Sequence, residues 1–532
     1  MHSIIAEAAK SGRPAECDVL VIGGSLVGLS SAAFLGWFGI KPLVIEKHAG
    51  TSIHPRAGYF HLGTMECFRR IGLEQAILSA SREQFGPDGG INAVESLAGR
   101  ELAMHVPDIN QGVEPYSPCK RFFMTQQSLE PLLHSRAAEL GAQLSYRTEL
   151  VDFEQRADHV LATVRDLDSG NETQIRARWM IASDGNRSPV REKLGIAMEG
   201  PGWLSDSITV YFKADCQQWL EGRQLGVIYV VNQDQRGFFR FEADGTRGFL
   251  AVNTLGDLSQ RGAKDIAADT SRERVIDLVR SAVGVPDLEI EIEDVATWKA
   301  TAECASAFRK GRIFLAGDAA HVVPPTGGFG GNTGVQDAAN LAWKLAMVLG
   351  GKAGEALLDS YEQERLPVAR LIVEQAYARY IRRVVPEEIE ADTPEMLDEL
   401  TMEIGQYYGS SAVRGGRGDD EPACLHPDET RGHPGSRLPH AWLKDGASTV
   451  DCASEGLVLL AGPQAPAWAQ AAGAAGLDAV SLPVEAARAI GIDEEAVILT
   501  RPDGFVAWRS GNDETADADR LRNLLAQILA QS

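Results

Sequence analysis

An apolar run, Val19–Ile22, leads straight into Gly23-Gly24-Ser25-Leu26-Val27-Gly28, and a helical pattern follows as far as Phe38. A second short apolar run, Pro42–Ile45, ends at Glu46, with Lys47 beside it. Few folds satisfy that order. Strand, glycine turn, helix, strand and terminal acid make up the first unit of a doubly wound parallel sheet. In that unit the turn brings backbone N–H groups to a pyrophosphate, and the acid takes the ribose hydroxyls. The helix N-terminus adds roughly half a positive charge where the phosphates would lie. Ser25 stands where the second glycine is expected, so it must fit the φ/ψ of the turn or offer its own hydroxyl. The uncharged stretch Val19–Ile40 is long enough to imitate a membrane span. Its glycines and early turn fit a strand feeding a helix better.

A second glycine-rich segment lies far downstream. Ile313–Ala316 reads as a strand, followed by Gly317-Asp318, a loop rich in proline and glycine, and an amphipathic helix opening near Asn332. Gly327, Gly328, Gly330, Gly331 and Gly334 remove the Cβ atoms that would keep a flat or anionic ligand away from backbone N–H groups. Asp318 is placed to accept a hydrogen bond from a ribityl or ribose hydroxyl. Between the two segments, Arg176–Ala182 reads as a strand ending in Asp184-Gly185-Asn186-Arg187-Ser188, another turn near the nucleotide. His54-Pro55-Arg56-Ala57 follows the second strand, where Arg56 is read as a cofactor contact. Thr64–Gly72 reads as a helix. Phe123–Gly141 reads as an amphipathic helix with Leu129, Leu132, Leu133 and Leu140 on its apolar side, and Gln126 stands at its start, facing the ligand.

A chain of 532 residues divides into two or three domains with substantial cores. Lys+Arg 51 against Asp+Glu 74 leaves −23, spread throughout, which opposes binding to nucleic acid or an anionic membrane. The opening residues MHSIIAEAAKSGRP lack a basic start followed by an apolar core, so no secretory signal is read there. Seven scattered cysteines show no CxxC and no metal spacing; they suit a reducing cytoplasm and buried structural roles, and no metal is expected.

In the middle of the chain Ser207–Ala214, Gly226–Val231, Gly237–Glu242 and Gly248–Asn253 are short β-rich runs divided by turn residues, which predicts an antiparallel layer facing the substrate. Leu341–Leu349 and Tyr361–Tyr380 continue as helices on the cofactor side. Gly409–Arg437, rich in glycine, proline and charge, reads as a linker. Beyond it, Gly456–Leu460 reads as a strand, Val497–Thr500 and Phe505–Trp508 as a hairpin around Arg501-Pro502-Asp503-Gly504, and the chain ends in a helix carrying Leu521, Leu524, Leu525, Ile528 and Leu529 on one face.

GGSLVG at 23–28, SDGNRSPVR at 183–191 and AGDAAHVVPPTGGFGGNTGVQDAANLAWKLA at 316–346, in that order, resemble the single-component FAD-dependent aromatic hydroxylases. That group, class A of the flavoprotein monooxygenases, includes para-hydroxybenzoate hydroxylase and phenol hydroxylase. HPRAGYFHLGTMECFRRIGL and RFFMTQQSLEPLL look most like hydroxylases of aromatic polyketides. The resemblance covers nearly the whole chain. It departs at Ser25, and at Gly63, where relatives often carry arginine.

What the resemblance implies is an α/β chain: a Rossmann-like FAD-binding domain, an antiparallel-sheet substrate domain and a C-terminal thioredoxin-like domain without redox cysteines. The expected divisions are an FAD-binding domain assembled from 1–84, 123–200 and 301–408, a substrate-side insertion at 85–122, a substrate sheet at 201–300, a linker at 409–437 and the C-terminal domain at 438–532. The implied cofactor set is Gly23, Ser25, Leu26, Val27, Gly28, Glu46, Lys47, Arg56, Gln126, Asp184, Gly185, Gly317, Asp318, Pro325, Gly330, Gly331, Asn332 and Thr333. The N–H groups around Gly331 and Asn332 match the pair that faces the flavin N1–C2=O edge. NADPH (or NADH) docks transiently, O2 forms a flavin C4a-hydroperoxide, and its terminal oxygen goes to an aromatic polyketide ring. The sequence singles out no base; His61, Tyr229 and Arg240 are candidates. Two alternatives stay open: Baeyer–Villiger insertion or oxidative ring opening with the same cofactor, and a non-catalytic nucleotide-binding scaffold. A cytoplasmic monomer or homodimer is expected.

Overall fold

β1 (Ala15–Ile22) buries all four of the residues Val19–Ile22, as a strand covered on both faces must. It pairs in parallel with β2 (Leu43–Ile45) and with β10 (Glu172–Ala182). β10 pairs in parallel with β17 (Ile313–Leu315), and β2 with β7 (Gln143–Ser145). β16 (Arg309–Lys310) closes one edge, and β8 (Thr148–Gln155) and β9 (Val160–Asp166) form an antiparallel flap on β10. These strands come from opposite ends of the first 320 residues, so the nucleotide fold is assembled from separated pieces of chain. In this computed structural model all residues are described except 1–3, 6–7, 9–12, 54–57, 86–88, 222–224, 254–265, 385–388, 445, 454, 512–513 and 532. Arg56, with the rest of His54-Pro55-Arg56-Ala57, therefore lies outside the described residues.

The first helix, α1 (Leu26–Trp37), packs on α5 (Phe329–Leu349), which opens three residues earlier than the sequence pattern suggests. The contact is close because it is made of glycine. A Cβ on Gly334 would lie 2.5 Å from Val27 Cγ2, and one on Gly317 2.7 Å from the same atom. Gly317 also has φ +62, a conformation side chains avoid. The helices α2 (Leu62–Arg70), α3 (Gln126–Glu139) and α6 (Asp359–Val384) complete this body.

The second sheet has eight strands in the order β18 (His321–Val322), β15 (Glu291–Ala305), β11 (Met198–Lys213), β14 (Arg247–Asn253), β13 (Arg236–Phe241), β12 (Leu225–Val231), β4 (Gly90–Val94), β5 (Glu101–Val106). The four expected strands are β11 to β14. The layer is not wholly antiparallel: β4 pairs with β12 in parallel, because it enters from the 85–122 segment. Strict alternation sorts its side chains. Ile208, Val210, Phe212, Ile228, Val230, Phe239, Phe241, Leu250 and Val252 pack against α4 (Arg272–Val283). Their neighbours Thr209, Tyr211, Tyr229, Phe238, Arg240, Phe249 and Ala251 face a cavity on the other side. A short ribbon of β3 (Tyr59–Phe60) and β6 (Phe122–Phe123) joins the two bodies.

The C-terminal body is a four-stranded sheet in the order β20 (Asp478–Ser481), β19 (Val458–Ala461), β21 (Val497–Thr500), β22 (Val506–Arg509), with β19 and β20 parallel and the other pairs antiparallel. Helices α8 (Pro466–Ala474), α9 (Val484–Ala489) and α10 (Ala518–Ile528) accompany it. β20 and α9 were not legible in the sequence; β20 is a mostly exposed edge strand without an apolar run. The stretch read as a linker is no flexible spacer. It contains no helix or strand, yet Ala412, Val413, Cys424 and Thr430 are buried, and Arg437 pairs with Glu66 at 2.8 Å. Just before it, α7 (Glu399–Ile404) packs on α2. Among the described residues no helix is long and apolar enough to cross a membrane. Val19–Ile40 is divided between β1 and α1.

Candidate active site

At the β1–α1 turn the chain doubles back so tightly that a Cβ on Gly28 would lie 1.8 Å from the Gly23 carbonyl oxygen. Gly23 takes φ +98 and donates its N–H to the Ile45 carbonyl, fixing the turn to the end of β2. The Glu46 carboxylate, at that strand end, accepts the N–H of Gly24 at 2.7 Å and that of His48 at 2.8 Å. Fingerprint glycines and acid therefore meet as expected. Ser25 has ordinary extended dihedrals, so the missing glycine costs the turn nothing. Its hydroxyl donates to Glu130 at 2.5 Å and accepts from Gln126 at 2.7 Å.

Glu130 is a member of this corner that sequence reasoning missed. It is fully buried and also accepts from the Ser52 backbone N–H. The signal was present: Glu130 lies one helical turn after Gln126, so both must share a face of α3.

The Gly317-Asp318 turn and the α5 N-terminus stand across from this corner. Gly317 donates to Asp337 at 3.1 Å, and Asp337 is itself held by Arg365 at 2.8 Å and His321 at 2.7 Å. Asp318 is exposed, and together with Pro325, Gly330 and Gly331 it lines the cavity beneath the second sheet. Asn332 turns its side chain away, accepting from the His61 N–H and donating to the carbonyls of Tyr59 and Gly328. Thr333 and Leu26 are buried in the packing, and Lys47 is exposed. Asp184 is half-buried; its Oδ2 accepts from the Val190 N–H, while its buried Oδ1 has no partner among the described residues. Burial pushes that carboxyl above its ordinary range. Gly185 beside it has φ +86.

These features fit FAD: two glycine turns without the Cβ atoms that would hold a ligand off the backbone, Glu46 for a ribose, Asp318 for a polyol chain, and a buried carboxylate oxygen left over at Asp184. Bound, the flavin would supply hydride acceptance and oxygen activation.

The cavity measures about 1720 Å³ and lies between the flavin-side loop and the sheet. The three candidate bases all reach it, with differing chemistry. His61 is buried; burial holds its imidazole below the ordinary range, and Nε2 is committed to the Gly327 carbonyl at 3.0 Å. Tyr229 lies half-buried in the wall, edge-on to His105 and tilted against Phe238. Arg240 is buried; burial lowers its guanidinium to about 9, so it remains a cation at neutral pH and cannot take a proton. Arg121 and Glu403, neither anticipated, form a buried pair on the same wall, Arg121 Nε lying 2.9 Å from both carboxylate oxygens. Glu403 also explains Gly63: a Cβ there would lie 2.7 Å from the Glu403 carbonyl oxygen and 2.6 Å from Gln336 Nε2. A longer side chain has no room there. All seven cysteines are free thiols, and burial pushes Cys17 to about 12 and Cys67 to about 11, which leaves both inert.

A dinucleotide cradle opening on a chamber walled by a separate sheet defines a nucleotide-cofactor oxidoreductase with its substrate held against the cofactor loop. Comparison with known proteins narrows the class. Residues 16–376 match the family model of an FAD binding domain, and residues 431–532 that of the aromatic-ring hydroxylase C-terminal region. The chain is 50% identical to a 4-methyl-5-nitrocatechol 5-monooxygenase from Burkholderia sp, over 96% of this chain and 98% of that one. It is 36% identical to tetracenomycin A2 monooxygenase-dioxygenase from Streptomyces glaucescens, over 97% of each. A crystal structure of aklavinone-11 hydroxylase in ternary complex with FAD and aklavinone superimposes with a TM-score of 0.90 at 34% identity, covering 97% of this chain and 99% of that one. The chain belongs to the FAD-binding aromatic-ring hydroxylases and is an FAD-dependent aromatic monooxygenase. The scaffold alternative falls with that membership.

Proposed function

We propose that the protein hydroxylates a polycyclic phenol of the aromatic polyketide class, with NADPH or NADH as the electron donor, in the cytoplasm and as a monomer or homodimer. The observation that carries this reading is the cavity. Sites for drug-sized ligands occupy roughly 300–1,000 Å³, and here a volume of about 1720 Å³ is bounded by Asp318, Gly330 and Gly331 on one side and by Tyr229, Phe238 and Phe249 on the other. That leaves room for a fused ring system beside a flavin. In this reading Gly23, Gly28 and Glu46 hold the adenosine end of the cofactor, Gln126 and Ser25 its pyrophosphate, Asp318 its ribityl chain, and the N–H groups at Gly331 and Asn332 its ring edge. Aromatic faces from alternate positions of β12, β13 and β14 orient the substrate and exclude water. The flavin, once bound, carries the redox chemistry.

A nitrocatechol is the second reading, favoured by the 50% identity to the Burkholderia enzyme. One experiment addresses both. The FAD-loaded protein is given NADPH, 18O2 and a panel of polycyclic phenols and nitrocatechols, and products are weighed. Incorporation of one 18O into an intact fused ring supports the first reading. Turnover of nitrocatechol alone, with nitrite released from the attacked carbon, supports the second. A ring-expanded lactone would replace both with Baeyer–Villiger chemistry.

A further inference from the structure

Six arginines are buried among the described residues: Arg121, Arg191, Arg240, Arg365, Arg379 and Arg501. Three are paired with carboxylates: Arg121 with Glu403, Arg365 with Asp337, and Arg501 with Glu364 and Asp503. Arg191 donates to the carbonyls of Ala319 and Asn186, and Arg379 to Gln375 and to the Leu397 carbonyl. Arg240 differs from all five. Its Nη1 donates to the Gly58 carbonyl, whereas Nε and Nη2 have no partner among the described residues. Its Cζ lies between two rings, 4.0 Å from the centroid of Phe85 and 4.2 Å from that of Phe123. Among the described residues no charged group acts on it; burial alone accounts for its lowered guanidinium. In a chain of net charge −23, a buried cation with no acid among the described residues is conspicuous.

Burying a charge without a counter-ion is unfavourable, and proteins meet that with a partner. Arg240 lines the cavity on the same face of β13 as Phe238. We propose that the missing partner is the substrate, and that Arg240 anchors an aromatic oxyanion, the phenolate of the ring to be hydroxylated. The attraction needs no direct contact, since charges several ångström apart still interact strongly where water is excluded. The other basic groups lining this cavity are His61, His105, Arg121, Arg187, Arg236, Lys299, Arg379, Arg382 and Arg383; its acids are Asp108, Asp206, Asp318, Asp398, Glu399 and Glu403, and Tyr59, Tyr211, Tyr229 and Tyr380 complete the titratable set. Arg121 is already neutralised by Glu403, Arg379 donates to Gln375 and the Leu397 carbonyl, and burial holds His61 and His105 toward their neutral forms. Arg187, Arg236, Lys299, Arg382 and Arg383 are exposed or half-buried, which leaves Arg240 as the buried cation of this cavity with no acid acting on it among the described residues. The phenol proton leaves to solvent. This rests on the reading of the cavity as the substrate chamber.

The test uses the FAD-loaded full chain with 4-nitrocatechol as probe, whose ionisation is read from its visible band, and 4-nitroanisole as a neutral counterpart. In the wild type the phenol of bound probe should titrate at least one pH unit below the free compound. Arg240→Met should abolish that shift and weaken the anion at least tenfold while leaving 4-nitroanisole affinity within twofold, and Arg240→Lys should restore part of both. A merely structural arginine predicts instead that Arg240→Met lowers the thermal midpoint and weakens both probes equally, which overturns the proposal. Should Arg240→Met fail to fold, the wild type alone decides: a bound phenol titrating at or above its free value overturns it. Equal affinity for anion and neutral probe sinks this inference only, whereas failure of every phenol to bind sinks the reading of the cavity as well.

Discussion

The cofactor body and the C-terminal body meet in a buried cluster of charges, and the substrate cavity carries a buried arginine, Arg240, with no acid acting on it among the described residues; the two are built on opposite rules. At the junction, Glu364 of α6 accepts from Arg501 at 2.6 and 2.9 Å, Lys344 at 2.7 Å, Asn340 at 2.7 Å and Ser410 at 2.6 Å, and Arg501 is held again by Asp503. Lys344, Glu364 and Arg501 are completely buried, and each has its counter-charge. At the cavity Arg240 has a carbonyl on one nitrogen and nothing on two others among the described residues. A cluster whose demands are met within the chain serves to lock one body to another. A cation whose demands are unmet is kept for something that arrives.

If that contrast is right, damage at the junction should be severe. Replacing Glu364 by alanine leaves Lys344 and Arg501 buried and uncompensated, a loss of about 3–5 kcal/mol. Denaturant unfolding of the flavin-loaded protein reads this directly; a loss under 1 kcal/mol would dissolve the distinction.

Acid should attack the same place. Burial alone would push the Glu364 and Asp337 carboxyls up, but Arg501 with Lys344, and Arg365 with His321, hold both below the ordinary carboxylate range. Folded values below unfolded ones mean a contribution that is complete above the unfolded range, near pH 4, and is lost as pH falls further toward the folded values. Glu364→Gln cannot titrate. Its deficit relative to wild type should therefore shrink between about pH 5 and pH 3, and a deficit that stays constant on acidification would contradict the pairing.

A subtler change is Arg501→Lys, which keeps the charge and discards the two-pronged geometry. We expect about 1–2 kcal/mol, less than for Glu364→Ala, because hydrogen bonds are lost while the ion pair survives. Chemical denaturation in parallel with the Glu364 variants ranks them.

Smallest should be Arg240→Met without ligand. Exchanging a buried cation that has no acid among the described residues for an apolar chain of similar length should move stability by no more than about 1 kcal/mol, in either direction. A loss as large as that of Glu364→Ala would place Arg240 with the junction and erase the comparison.

How much of this was readable in advance follows from the range of the physics involved. The turn at Gly23–Gly28 and the acid at Glu46 could be placed because glycine conformations and strand–helix order are local properties. The loop Gly317–Gly331 was legible for the same reason. Which residues of β11 to β14 face the cavity was not. Alternation fixes that Phe238 and Arg240 share a face and Phe239 and Phe241 the other, but which face meets the ligand is set by α4 packing on one side. Gln126, Ser25 and Glu130 form one polar corner although Ser25 lies far away in sequence. The stretch 409–437 has the composition of a spacer, yet it is packed, because Arg437 and Glu66 find each other across hundreds of residues.

The sequence by itself determined that two glycine turns would build a nucleotide cradle, since turn, strand and helix signals depend on neighbours within a few residues. Only the tertiary structure decided which charges are answered and which are left open. A counter-ion is a fact about distance in space: Glu403 meets Arg121, Glu364 meets Arg501, and no carboxylate among the described residues meets Arg240.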